Sequence, residues 1–144
     1  HMLMKLFLPD LEAKDRGYIL NVASSAAFLP GPLLSSYYAS KAYVLRLSEA
    51  VAEELRRAGS GVRISVLCPG PVQTEFDQVA NVCFSAPSLS SRRVAECAGN
   101  GMFRGKPVIV PGARMKAVRL AQRLVPDRLL ARICWHVQRK KSGT

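Results

Sequence analysis

The order of three adjacent elements constrains the fold of this chain most strongly. Apolar runs and helical apolar spacing predict a strand, a long helix and a second strand at residues 18–23, 37–57 and 62–68. The first run is nearly continuous and follows a glycine, which is typical of a strand covered on both faces. Two such strands joined by one helix lie parallel, with a right-handed crossover. The sequence therefore predicts an α/β fold built on a parallel sheet.

A second, shorter helix and a further strand are predicted after this unit. The helix covers residues 93–98, with Ser90 or Ser91 as its expected N-cap; for the long helix the expected N-cap is Ser35 or Ser36. The last predicted strand covers residues 107–110, and two basic amphipathic segments, at 114–125 and 127–141, come after it. Residues 75–90 show no firm period, so we expect a loop or a lid there.

These elements divide the chain into three parts. Residues 1–2 resemble a cloning remnant. We expect one α/β unit over residues 3–112 and a basic helical tail over residues 113–144. No apolar run reaches about 18 residues without a charge, so no membrane-spanning helix is expected.

The positive charge is concentrated in the last third of the chain. The net charge of +11 comes from 21 basic and 10 acidic residues. Residues 1–91 hold eight of each sign, whereas residues 92–144 hold thirteen basic and two acidic ones. This excess suggests an anionic partner for the tail, or simply a solvated helical face. We do not expect nucleic acid as a partner, because the terminal helix has one aromatic residue, Trp135, and no stacking series.

The cysteines point to a reducing environment. The four of them, Cys68, Cys83, Cys97 and Cys134, form no CxxC unit, so we expect no zinc site. Two of them lie in apolar surroundings of the sequence and are expected to be small buried side chains. We therefore expect a cytoplasmic protein without a structural metal.

Side chains suited to proton transfer cluster near the predicted strand ends. Parallel strands present their carboxyl ends at one edge of the sheet, where ligands bind. Tyr37 and Lys41 are four residues apart on the long helix and therefore share one face. An ammonium group near a phenol favours the phenolate and is expected to lower the pKa of the tyrosine. Such a tyrosine can exchange a proton with a carbonyl or alcohol oxygen, and Ser24 can hold that oxygen by a hydrogen bond.

Three segments together resemble the carboxyl-terminal half of a short-chain dehydrogenase/reductase. They are GYILNVASSAAF (17–28), SSYYASKAYVLRLSEAVAEEL (35–55) and VRISVLCPGPVQTEF (62–76). The resemblance implies a Rossmann-like fold of which this chain is the second half, followed by basic carboxyl-terminal helices. It is incomplete, because no Gly-x-x-x-Gly-x-Gly run precedes the first strand.

The resemblance also assigns roles to individual residues. By it, Tyr37 is the catalytic acid and base, Lys41 binds the nicotinamide ribose, and Ser24 polarises the substrate carbonyl. Ser25 and Tyr38 are the neighbours that an error of one residue in register would put in their place. The residues expected to contact the cofactor are Tyr37, Lys41, Pro69, Gly70, Val72 and Thr74.

The implied reaction is reversible hydride transfer between NADP or NAD, with NADP the first choice, and a carbonyl/alcohol pair. The chain resembles a bacterial branch similar to the 3-ketoacyl and 17β-hydroxysteroid reductases, which suggests an extended apolar substrate. A homo-oligomer is expected, and the basic tail could rest on an anionic membrane surface. Because the phosphate cradle is missing, we expect the isolated chain to be inactive. The alternative is a non-catalytic remnant that acts as an oligomeric or membrane-surface interaction module.

Overall fold

Three parallel strands with helices on both faces form the centre of the fold. The computed structural model describes residues 1–73 and 88–141. The five helices in this part of the chain are α1 (Met2–Ala13), α2 (Ser35–Arg57), α3 (Ser91–Phe103), α4 (Ala113–Ala121) and α5 (Asp127–Lys141). The strands are β1 (Gly17–Val22), β2 (Val62–Leu67), β3 (Val72–Gln73), β4 (Leu89–Ser90) and β5 (Val108–Ile109). Two short 3-10 helices cover Ser25–Phe28 and Gln122–Leu124.

The strand–helix–strand unit predicted from the sequence is confirmed. The main sheet has the order β1-β2-β5, and both pairs are parallel. Gly17 pairs with Val62 at one end, and Val22 pairs with Leu67 at the other. β3 and β4 form a separate parallel pair. The predicted α/β class with a parallel sheet is therefore correct, and the carboxyl ends of β1 and β2 lie side by side.

The core lies on both faces of β2. On one face, Leu45 of α2 packs in a buried cluster with Val66 and Cys68. On the other face, Val94 and Ala98 of α3 pack against Leu67 and Ile109. Since β2 is covered by α2 and α3, all of its residues except Arg63 are buried.

The expectation that β1 is covered on both faces is wrong. Tyr18 and Val22 are 48% and 58% exposed. Among the described residues β1 pairs with β2 alone, so it is an edge strand. The face that carries Tyr18 is covered only in part: Leu20 packs against the buried cluster around Val94 and Ala98 of α3, whereas the Tyr18 ring lies 5.4 Å from that of Phe103, which is itself 66% exposed. An apolar run thus indicates that a strand is suited to burial, whereas the helices and strands packed around it determine whether it is buried.

A polar contact joins β1 to the helices behind it. Asn21 donates hydrogen bonds from its side-chain amide to Ser48 Oγ of α2 and to Met4 Sδ of α1, both at 2.9 Å. Ser48 is buried and donates to the Val44 carbonyl at 2.7 Å. This network fixes the middle of α2 against the carboxyl-terminal end of β1.

The expected hydroxyl cap of α2 is wrong. The helix begins at Ser35, its N-cap residue is Leu34, and no side chain caps it. Leu33 has a positive φ of 69°, and the Leu34 amide donates to the Gly31 carbonyl at 3.1 Å. This turn already places the Leu34 carbonyl to accept from Tyr38, at 3.1 Å, so the helix starts before a serine can act as its cap. At α3 the expected cap is confirmed, since Ser90 Oγ accepts from the Arg93 amide at 3.4 Å.

The basic tail folds back on the α/β unit. α4 reaches the core through Met115, which packs against the cluster around Val66. One face of α5 is buried along Leu130, Cys134 and Gln138, which follow one another at helical spacing. Within residues 1–73 and 88–141, no helix combines the length and the apolar character that crossing a bilayer requires.

Candidate active site

The ends of β1 and β2 are joined by backbone hydrogen bonds. Beyond the last paired residues, the Ser25 amide donates to the Pro69 carbonyl at 2.8 Å, and the Ala23 amide donates to the Leu67 carbonyl at 2.8 Å. These bonds hold the segment that contains Ser24 beside the loop that contains Pro69 and Gly70. The carboxyl ends of the two strands therefore bring together two segments that are far apart in sequence, as expected for a parallel sheet.

Tyr37 and Lys41 lie on the same face of α2, in its first two turns. The Lys41 ammonium is 5.8 Å from the centroid of the Tyr37 ring. Both side chains are partly exposed, so a ligand can reach them. A cation at this distance from an aromatic ring is attracted by it, which limits the positions that the lysine adopts. The two side chains therefore share one face of α2, as their spacing predicts, with the ammonium beside the aromatic ring.

Ser24 is held in a fixed orientation by the short helix that follows it. Its Oγ accepts a hydrogen bond from the Ala26 amide at 3.2 Å and caps the 3-10 helix Ser25–Phe28. A hydroxyl group that accepts one bond can still donate its own hydrogen. Ser24 can therefore donate to a ligand oxygen from a position that the backbone of β1 determines.

The loop after β2 is covered by α4. A β-carbon at Gly70 would lie 2.8 Å from Cγ of Met115, so this side chain of α4 packs closely against the loop. Val72, the next predicted contact, is partly exposed and pairs with Leu89 in the β3–β4 ladder. Thr74 lies outside the described residues. Sequence reasoning missed Met115, although its position on an amphipathic segment was a signal for burial.

α5 reaches the residue next to Tyr37. The Tyr38 hydroxyl accepts a hydrogen bond from the side-chain amide of Gln138 at 2.5 Å. Burial, together with the proximity of Cys134 and Tyr37, raises the pKa of Tyr38 above its ordinary value, despite this hydrogen bond. The two tyrosine rings meet edge to face, with centroids 5.9 Å apart. Sequence reasoning missed this contact, because nothing local links residues so far apart.

The described residues suit one end of a nicotinamide cofactor better than the other. A phenol and an ammonium group share a face at the start of α2, and a serine hydroxyl follows the carboxyl end of β1; these are polar partners of the kind that the nicotinamide ring and its ribose need. The pyrophosphate would need a glycine-rich turn before a helix, and the printed sequence contains no such run. Within the part of the chain that the structure describes, no group of three His, Cys, Asp or Glu side chains could hold a metal ion.

Comparisons with known proteins all point to one family. The family model described as short chain dehydrogenase matches residues 1–82. Estradiol 17-beta-dehydrogenase 11 from Mus musculus is 32% identical over 127 residues, which cover 88% of this chain and 42% of that protein. 17-beta-hydroxysteroid dehydrogenase type 3 from Homo sapiens is 40% identical over 77 residues, covering 54% of this chain and 24% of that protein.

A solved structure agrees with this result. A short chain dehydrogenase from Burkholderia cenocepacia, crystallised in complex with NADP, superposes with a TM-score of 0.70 at 31% identity. The match covers 88% of this chain and 50% of that one. The chain thus spans about half the length of the dehydrogenases it matches, and its Rossmann-like fold is incomplete in that sense. Together, the sequence match and the shared fold show that this chain belongs to the short-chain dehydrogenase family.

Proposed function

We propose that this chain is the carboxyl-terminal half of an oxidoreductase that transfers a hydride between NAD(P)H and a carbonyl/alcohol pair. The proposal rests on the position of Lys41, whose ammonium nitrogen lies 5.8 Å from the centroid of the Tyr37 ring on the helix that connects β1 to β2. The names of the relatives support it, since one is an estradiol 17-beta-dehydrogenase and another is a 17-beta-hydroxysteroid dehydrogenase. The solved relative in complex with NADP supports a nicotinamide cofactor.

In this proposal Tyr37 moves the proton. A bound nicotinamide would supply the hydride that reduces the carbonyl carbon, and the electron pair of the carbonyl double bond would then reside on the oxygen. The Tyr37 hydroxyl gives its proton to that oxygen and becomes a phenolate, which the Lys41 ammonium stabilises. Oxidation of the alcohol runs the same steps in reverse.

Two further groups would position the reactants. Ser24 would donate its hydroxyl hydrogen to the substrate oxygen, where negative charge develops. The segment after β2 would border the nicotinamide ring and its carboxamide; the residues concerned are Pro69, Gly70, Val72 and Thr74. An extended apolar carbonyl or alcohol compound fits the steroid substrates that the relatives' names indicate.

Ser24 and Ser25 provide a direct test of the serine's role. In an enzyme with the phosphate-binding half restored before residue 3, extended ketones and the matching alcohols would be tried with NADPH and NADH. Ser24→Ala is expected to lower kcat/KM by about a hundredfold, the typical effect of losing one donor to a developing oxyanion. Ser25→Ala serves as the matched control, and a larger loss there would move the role by one residue.

The cofactor should bind poorly to the chain of residues 1–144 alone. Much of the affinity of this fold for a dinucleotide comes from amides that cradle the pyrophosphate. Calorimetry with NADPH and NADH is therefore expected to detect no micromolar binding. Micromolar affinity for either nucleotide would contradict the expectation that the missing pyrophosphate cradle limits binding.

A second proposal is a non-catalytic role at an anionic membrane surface, reached from the cytoplasm. It is favoured by α5, where Leu129 and Ile133 are each 48% exposed on a helix rich in arginine. Flotation with anionic vesicles should then be reduced by Leu129→Gln/Ile133→Gln. The equally apolar pair Leu3→Gln/Leu6→Gln on α1 is the control, and equal losses in both would exclude a specific role of α5.

A further inference from the structure

A groove lies between α4 and the edge strand β5, on the face of the sheet that α2 covers. Its volume is about 340 Å³, at the small end of ligand pockets. Three cations and three aliphatic side chains line it: Lys116, Arg119, Arg123, Val108, Val110 and Leu120. Val108 lies on β5 and Val110 follows that strand, whereas the other four residues come from α4 and the 3-10 helix directly after it. The groove therefore combines an apolar floor with a basic wall.

The positive charge of this wall is not balanced within the described residues. The single carboxylate that pairs with it is Glu49, which lies 4.0 Å from Arg119 and is bound more closely by Arg46, at 2.9 Å. Lys116 and Arg123 form no ion pair with any described residue. Like charges three and four residues apart on a helix repel one another, so this arrangement costs stability unless an anion compensates for it.

Arg119 is held in the groove by an aromatic ring. Its guanidinium carbon lies 4.9 Å from the centroid of Phe28, and the side chain is 25% exposed. A guanidinium held in this way loses less freedom when it binds an oxyanion. Lys116 precedes Arg119 by three residues and Arg123 follows it by four. All three side chains therefore lie on one side of this segment and can contact the same ligand.

We infer that this groove binds a phosphate group carried on an aliphatic chain. Guanidinium and ammonium groups recognise phosphate oxygens by charge-assisted hydrogen bonds, and the aliphatic side chains would cover the methylene groups next to the phosphate. The ligand is thus a small amphiphilic phosphate ester, either free or as the headgroup of an anionic lipid. Neither Tyr37 nor Lys41 lines this groove, and the inference does not depend on the proposed hydride transfer.

The ligand chemistry is tested by NMR titration of the isotopically labelled chain with three probes. Hexyl phosphate should shift the amide signals of Val108, Val110 and Leu120. It should bind about tenfold more tightly than inorganic phosphate, because its chain is removed from water. Hexyltrimethylammonium, with the same chain and the opposite charge, should leave these signals unchanged. Equal affinity for hexyl phosphate and inorganic phosphate would overturn the apolar part of the inference.

Paired variants test the site. Lys116→Gln/Arg123→Gln should weaken hexyl phosphate binding by about tenfold or more, since two charged donors are removed. Arg114→Gln/Arg128→Gln removes the same charge from the tail at positions outside the groove and should change the affinity by no more than about twofold. Equal weakening in both double variants would overturn the inference and leave only nonspecific attraction to a basic tail.

A vesicle assay distinguishes the two sources of the phosphate. If the Lys116→Gln/Arg123→Gln variant also loses binding to phosphatidic acid vesicles, the groove takes a lipid headgroup. If vesicle binding is unchanged while hexyl phosphate binding is lost, the groove takes a soluble ester. Binding to vesicles without any binding of hexyl phosphate would overturn the inference.

Discussion

The side-chain amide of Gln138 donates a hydrogen bond to the hydroxyl of Tyr38, although 100 residues separate the two along the chain. Gln138 is buried, and Tyr38 is largely buried beside it. The bond fastens the last helix to the first turn of the helix that carries Tyr37. The tail is thereby connected to the candidate active site as well as to the core.

We expect this hydrogen bond to stabilise the docking of α5. Tyr38→Phe removes the acceptor and takes one partner from a buried amide, which should lower the free energy of unfolding by about 1 to 2 kcal/mol. Urea denaturation measures the change, and hydrogen exchange in α5 should increase with it. The control is Tyr43→Phe, whose ring is 53% exposed. An equal effect of both substitutions would show that the Tyr38–Gln138 hydrogen bond makes no specific contribution to the free energy of unfolding.

The ring of Tyr38 also explains a glycine in the loop before α2. A β-carbon at Gly31 would overlap with that ring, whereas a β-carbon at Gly99, inside α3, would meet nothing within 4 Å. Gly31→Ala is therefore expected to lower the free energy of unfolding by about 1 to 3 kcal/mol. Gly99→Ala should raise it by about 0.5 to 1 kcal/mol, because alanine favours a helix. Thermal unfolding of the two variants should shift in opposite directions, and shifts in the same direction would contradict this packing.

The buried thiol of Cys68 should make the fold sensitive to alkaline pH. Burial raises the pKa of Cys68 to about 11 from an ordinary value of 9. The folded state holds this proton more tightly than the unfolded state, so stability is fully present below pH 9 and falls as the pH rises towards 11. Two pKa units correspond to a loss of roughly 2 to 3 kcal/mol.

Cys68→Ala isolates this contribution. Urea unfolding of both proteins between about pH 8 and 11 should show a steeper decline for the wild type than for the variant. Tyrosines and lysines titrate in both proteins, so the difference between the two curves reports on the thiol. Parallel curves would mean that the thiolate is accommodated in the folded state.

Exposed apolar surface on α1 and the open edge of β1 should cause self-association. Leu6 and Phe7 are 64% and 59% exposed. An unpaired strand edge beside an apolar helix face is a typical site of chain pairing. Light scattering is expected to show dimers or larger species, and Leu6→Lys/Phe7→Lys should shift them towards monomer. The same change at Leu129 and Ile133 is the control, and a monomeric wild type would contradict the expectation.

Local patterns were sufficient to predict much of the fold and the centre of the candidate site. Helical spacing alone placed Tyr37 and Lys41 on one face, since residues four apart must share it. The parallel pairing of β1 with β2 followed from the crossover rule, and it brought Ser24 beside the loop after β2. These features depend on neighbours in sequence or on one topological rule.

The remaining features depend on contacts between distant parts of the chain. The start of α2 follows from a positive φ at Leu33, which no residue type there announces. The exposure of Val22 depends on how far α3 extends over β1, and the position of Gln138 depends on how the tail packs. Thr74 lies outside the described residues, so its role stays a prediction.

The proposed role of Tyr37 is tested most directly by turnover of the enzyme with the phosphate-binding half restored. Tyr37→Phe removes the proton that the mechanism transfers and keeps the ring, whereas Tyr38→Phe removes only the hydrogen bond to α5. We expect Tyr37→Phe to lower kcat by about a hundredfold or more. Tyr38→Phe should retain most of the activity. Unchanged turnover in Tyr37→Phe would contradict the proposed mechanism.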